Sequence, residues 1–221
     1  MKPWLMKGLA LLITGGVIYA GVKITNTATT ITESSYLQVD KPVIYLYPEK
    51  ETKLSIKLSG AELVTTYPEY KDKWDITAYP DGTLIDINNR KYNYLFWEGK
   101  SQKLKIRMDE GFVIQKGNYI EFLEKTLKEI GLTDKESNDF ITYWLPQMNE
   151  FPYCQISFQT ENYEEAVGID YSVAPNNELR VFATFKGLEQ PIEILEQSLD
   201  YYENFERTGF TVVEWGGTFI E

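Results

Sequence analysis

Lys41-Pro42-Val43-Ile44-Tyr45-Leu46-Tyr47-Pro48 sets β-branched, aliphatic and aromatic residues between two prolines. Proline fixes φ and has no N–H for a ladder, so the block reads as a short core strand, Val43 to Tyr47. Pro42 and Pro48 end it, and Tyr45 and Tyr47 share a face. Downstream, Lys53 to Leu58, Glu62 to Tyr67, Trp74 to Tyr79, Thr83 to Ile87 and Tyr92 to Trp97 are also rich in β-branched and aromatic residues. Leu54, Ile56 and Leu58 fall on one side, while Tyr94 and Phe96 oppose Leu95 and Trp97. Pro80-Asp81-Gly82 supplies a hairpin turn, because proline presets φ and glycine accepts the left-handed position; Asn88-Asn89-Arg90 reads as the next turn. Strands repeating about every ten residues belong to an antiparallel sandwich or barrel.

The period then changes. Asn118-Tyr119-Ile120-Glu121 has a capping-box pattern ahead of Leu123, Leu127 and Ile130, and Gly131 stops the run. Thr133-Asp134-Lys135-Glu136 repeats the pattern ahead of Phe140, Ile141, Trp144 and Leu145, with Pro146 as the stop. These spacings predict two amphipathic helices in an αα-hairpin that covers a sheet face or edge. Strand signals return at Gln155 to Gln159, Ala166 to Val173, Glu178 to Phe185, Ile192 to Glu196 and Phe210 to Trp215. The expected class is α+β: a mainly antiparallel, β-sandwich-like domain with an inserted αα-hairpin, preceded by an N-terminal membrane-targeting helix. Residues 1–25 form the anchor or signal segment, 26–36 a Thr/Ser-rich stalk, and 37–221 a single extracytoplasmic domain.

The address rests on Gly8 to Val22, which is uncharged, with Lys2 and Lys7 before it and Lys23 after. Counting from Trp4, with Lys7 snorkelling, gives a stretch that approaches the ~20 residues of a bilayer span. Ile18 and Ala20 make a poor cleavage site. The expectation is therefore an uncleaved, single-pass anchor with the N-terminus inside and the domain outside, and secretion after cleavage is the alternative.

Composition removes several kinds of chemistry. The 221 residues carry a net charge of −11, which argues against a nucleic-acid partner. With no histidine and one cysteine, Cys154, a Ser-His-Asp or Cys-His nucleophile system is excluded, as is a zinc site of Cys and His spacing. No cofactor and no metal ion is expected.

Four blocks carry a resemblance: KPVIYLYPEKETKLSIKL (41–58), TTYPEY through TAYPDGTLID (65–86), YNYLFWEG (92–99), and WLPQM with VVEWGG (144–148, 212–217). In order and spacing the chain resembles a family of exported or membrane-anchored bacterial proteins of Firmicutes type. The resemblance covers nearly everything after residue 40 and implies one unit over 41–221 behind a variable export segment. It brings no activity and no catalytic residue.

Aromatics beside carboxylates are the notable constellation: Tyr47-Pro48-Glu49, Tyr67-Pro68-Glu69-Tyr70, Phe96-Trp97-Glu98 and Val213-Glu214-Trp215. Tyr and Trp at strand ends ordinarily fill a core. Left exposed, Tyr47, Tyr67, Trp97 and Trp215 suit the face of a sugar. The leading expectation is a non-enzymatic, membrane-anchored envelope protein whose outward domain binds a cell-surface protein or glycan, or is structural. The alternative is a cell-wall or polysaccharide hydrolase with paired carboxylates, Glu98 with Glu214 or Glu69. It requires the strands bearing Glu98 and Glu214 to be neighbours.

Overall fold

The KPVIYLYP block lies inside a longer strand than expected. In the computed structural model, which describes residues 36–220, β1 runs Leu37–Tyr47 and passes straight through Pro42. A one-residue bulge between Asp40 and Val43 interrupts pairing with both neighbouring strands, so the missing N–H of Pro42 falls where the ladder is already broken. Lys41 takes φ +57° to make the bulge. The bulge also sets which way the strand faces. Val39, Ile44 and Leu46 look into one core and Val43 and Tyr45 into the other, a pattern strict alternation over 39–46 does not produce. The N-terminal segment expected at 1–25, and all but the last residue of the 26–36 stalk, lie outside the described residues.

The remaining strands are β2 (Thr52–Ser59), β3 (Glu62–Tyr67), β4 (Trp74–Ala78), β5 (Leu84–Asp86), β6 (Lys91–Tyr92), β7 (Leu95–Ser101) and β8 (Glu110–Gln115), followed after the helices by β9 (Tyr153–Gln159), β10 (Gly168–Tyr171), β11 (Asn177–Leu188), β12 (Leu195–Glu196) and β13 (Thr211–Ile220). They form an eight-stranded sheet, β12-β8-β9-β11-β13-β1-β7-β3, and a five-stranded sheet, β10-β2-β4-β5-β6. Every pair is antiparallel except β11 with β13 and β12 with β8. The domain is thus mostly β, in two sheets, with few helices. β13 extends past Trp215 through Gly216 and Gly217, which were expected to follow the strand.

Helices α1 (Tyr119–Ile130) and α2 (Asp134–Met148) cover one face of the large sheet, and α3 (Glu161–Ala166) caps a corner of the sandwich. Leu123, Leu127 and Ile130 of α1 and Phe140, Trp144 and Met148 of α2 meet Val43, Tyr45, Leu179, Val181, Val213 and Trp215 in the first core. The second core lies between the sheets, where Leu54, Ile56, Trp74 and Ile76 face Ile44, Leu46, Leu95 and Trp97. Each large apolar side chain buried this way contributes roughly 1.5–3 kcal/mol. The small sheet does not reach β9, and the 104–110 segment covers that strand instead. Gln155 donates to Met108 O (2.8 Å), Ser157 to Glu110 O, and Gln159 brackets the Arg107 backbone with two bonds of 2.9 Å.

Two of the helix signals behave differently. Pro146 lies within α2 rather than ending it; so close to the C-terminus it removes only the bond to the exposed Thr142 carbonyl. Asn118 makes no side-chain cap, whereas the Thr133 box closes both ways: Glu136 N–H donates to Thr133 Oγ1 (3.4 Å) and Thr133 N–H to Glu136 Oε2 (2.8 Å). Replacing Thr133 by Ala is expected to lower the stability of the domain by about 1 kcal/mol, read from its urea midpoint.

Candidate functional site

An open cleft of about 600 Å³ lies where the end of β3 and the turn after it meet β4 and the β5–β6 hairpin. Trp74 forms its buried base, with the indole N–H donating to Pro68 O (2.9 Å) and Tyr70 edge-on at 4.9 Å. That bond and the Tyr70 hydroxyl, which accepts from Leu58 N–H (3.0 Å), hold the Pro68-to-Asp72 turn in place. Tyr67 therefore projects at the rim, 47 % exposed, edge-on to Tyr92 with ring centroids 5.4 Å apart. The Arg90 guanidinium lies 5.6 Å from the Tyr67 ring and 6.0 Å from that of Tyr92.

Carboxylates and cations alternate around this aromatic corner: Glu69, Asp72, Asp75 and Asp86 with Lys71, Lys73 and Arg90. Asp86 accepts from the Arg90 and Asn88 backbone N–H groups and from the Tyr92 hydroxyl, and the Arg90 bond foremost holds its carboxyl below the usual range. Asp75 is held low by the Ser55 hydroxyl and then by Lys73 at 3.0 Å. Neither keeps a proton near neutrality, so neither serves as a general acid. A second hollow of about 550 Å³ adjoins across the outer face of the small sheet, with Ile87, 84 % exposed, between the two.

Tyr67 and Glu69, two residues singled out in the sequence, thus share one cleft. The others do not. Trp97 and Trp215 are fully buried, on opposite faces of the large sheet, and offer no ring to a ligand. Glu98 and Glu214 are separated in the same way: β1 stands between β7 and β13, Glu98 lies on the helix side near Lys41, and Glu214 points into the sandwich beside Trp97. The paired-carboxylate arrangement of Glu98 with Glu214 is therefore not formed. Tyr47 is half-buried on the helix side, near Glu136 and Arg207.

Glu214 has a different occupation. Its Oε2 takes Arg180 Nε at 2.7 Å and its Oε1 the Trp97 indole N–H at 3.2 Å. Arg180 also donates Nη1 to Val167 O (2.7 Å) and lies over the Tyr163 ring at 4.7 Å. These groups pin α3 and β7 to the β11–β13 pair. A third cluster surrounds the bulge, where the Lys41 ammonium lies 4.5, 5.4 and 5.6 Å from the rings of Phe96, Tyr94 and Tyr143. Desolvation lowers its pKa and raises those of Glu98 and Asp40. Behind it the Tyr45 hydroxyl donates to Asp139 (2.9 Å). Cys154 is buried, and burial pushes its thiol up to about 12.

Arg90, Tyr92, Asp75 and Asp86 complete the cleft and were not singled out as site residues in the sequence. Their only signal is that Asp86 and Arg90 flank a turn, which any exposed hairpin shares. Among the described residues no group of three or more acidic or thiol side chains is placed to hold a metal ion, and no helix is long and apolar enough to cross a membrane. No protein-family model, curated protein or solved structure matches the chain.

Proposed function

We propose that this chain is a membrane-tethered envelope protein whose outward-facing domain binds a glycan in the Tyr67 cleft without hydrolysing it. The observation that carries the reading is the exposed Tyr67 ring, backed by Tyr92 and Arg90 and ringed by alternating acids and bases in an open cleft. Sugar C–H groups pack on the face of such a ring, while carboxylates, guanidinium and amide groups exchange hydrogen bonds with the hydroxyls. Binding is favoured over hydrolysis because the Glu98–Glu214 pair is not assembled and because Asp75 and Asp86 are committed to local hydrogen bonds. The tether and the orientation rest on the pattern of residues 1–25.

A glycan panel, including cell-wall fragments, read by calorimetry and by release of reducing sugar, tests this. Binding without release is expected, with Tyr67→Ala weakening it by about 1–2 kcal/mol, roughly 5- to 30-fold. Because Tyr67 is half-exposed, its truncation should leave the urea midpoint nearly unchanged. Equal affinity of the parent and Tyr67→Ala, or no affinity for any glycan, would remove the cleft from consideration.

A further inference from the structure

The far edge of the large sheet carries a second surface of different character. β12 pairs only with Glu110 and Gly111, so from Phe112 to Gln115 the outer edge of β8 has no strand partner among the described residues. Two hollows of about 520 and 560 Å³ run along this edge beneath α1, joined through Ile114, Phe122 and Lys125. Phe112, Ile114, Phe122 and Leu199 give the floor its apolar surface, with Phe112 and Phe122 5.1 Å apart. The wall carries Glu129, Glu196, Asp200 and Glu203 against the single cation Lys125.

We infer that this groove docks an extended, basic segment of a partner protein by strand addition. An open strand edge asks for backbone donors and acceptors, which a peptide supplies along its whole length. Alternate side chains of an added strand point the same way, so apolar residues meet the phenylalanine floor while their neighbours turn outward. Four carboxylates to one lysine select basic residues for the positions that reach the wall. The chain already uses the adjoining stretch in this manner: β12 adds in parallel to Glu110 and Gly111, and the Gln197 amide exchanges bonds of 2.8 and 2.7 Å with the Phe158 backbone. A second copy is a poor occupant, since each copy carries a net charge of −11 and presents the same acidic wall.

The test uses the full chain in zwitterionic nanodiscs, with empty discs subtracted, and a fluorescent peptide of alternating Lys and Val followed by anisotropy. The Lys-Val peptide is expected to bind, more weakly as salt rises, and the matching Glu-Val peptide to fail. Glu129→Gln/Glu196→Gln/Glu203→Gln, all at exposed positions, should weaken binding about ten-fold while preserving the urea midpoint. A Lys-Val peptide N-methylated at alternate residues, on the edge that faces β8, should bind at least ten-fold more weakly. The inference is overturned if the Lys-Val peptide does not bind, if the triple variant binds as the parent does, or if the methylated peptide retains full affinity. Light scattering of the chain alone should show a monomer. A dimer that the Lys-Val peptide dissociates would place a second copy on the edge instead and overturn it as well.

Discussion

Arg180→Met is expected to lower the stability of the domain by about 3–5 kcal/mol, read from its urea midpoint by tryptophan fluorescence. Arg180 and Glu214 are 6 % and 0 % exposed, so the substitution strands a carboxylate between two sheets with no cation, only the Trp97 indole N–H and the neighbouring Tyr163 hydroxyl, to answer it. Domains of this kind have about 5–15 kcal/mol in total, so the variant sits at or near the edge of folding. Glu214→Gln keeps the shape and the Trp97 contact while leaving the guanidinium uncompensated, and should lose less. The decisive comparison is Arg180→Met with Glu214→Leu, where no buried charge is left over and stability should return to within about 1–2 kcal/mol of the parent. If Arg180→Met alone loses under 1 kcal/mol, the pair does not anchor the sandwich as described.

That pair shows where the sequence stops being readable. In the stretch from Leu179 to Phe185 the odd positions are an obvious apolar face, and Arg180 at an even one looks like a residue turned to water. Alternation cannot distinguish a solvent face from a face covered by a second sheet. The available signal was that Arg180 and Glu214, of opposite sign, each sit inside an otherwise apolar strand. Local rules served well for most elements. The Pro80-Asp81-Gly82 turn closes with Gly82 at φ +83° and its N–H on Tyr79 O (2.9 Å), and Gly131 caps α1 at φ +111°. The six-residue α3 is too short to show a period, and β8 has no turn signal ahead of it. In the candidate site Tyr67 and Glu69 were legible because they adjoin in sequence. Arg90 and Tyr92 lie at a turn and strand that the sequence shows, but they reach Tyr67 from β6 of the small sheet to β3 of the large one, a contact between sheets that no spacing rule connects.

Gly217→Ala is expected to lose roughly 3 kcal/mol, at the upper end of what overpacking does to a core. β13 is the best-contained strand of the large sheet, parallel to β11 on one side and antiparallel to β1 on the other. A Cβ on Gly217 would stand 2.3 Å from Ala183 O and 2.9 Å from Trp144 Cζ2. The first obstacle is backbone of the neighbouring strand, so no change of side chain relieves it, and β11 and β13 must part or Trp144 must move off the sheet. Gly216 makes the instructive contrast. There a Cβ would meet Pro42 at the β1 bulge, 2.9 Å from its Cγ and 3.1 Å from its Cα. Gly216→Ala should therefore lose less, about 1 kcal/mol, and Pro42→Ala should recover part of it by removing the ring. The KPVIYLYP and VVEWGG blocks, at opposite ends of the domain sequence, then prove to be two halves of one contact: the bulge that admits Pro42 needs a strand beside it with no side chain at 216. Urea midpoints of Gly217→Ala, Gly216→Ala, Pro42→Ala and the Pro42→Ala/Gly216→Ala double variant decide it. Gly217→Ala within about 0.5 kcal/mol of the parent, or Pro42→Ala worsening Gly216→Ala, contradicts the account.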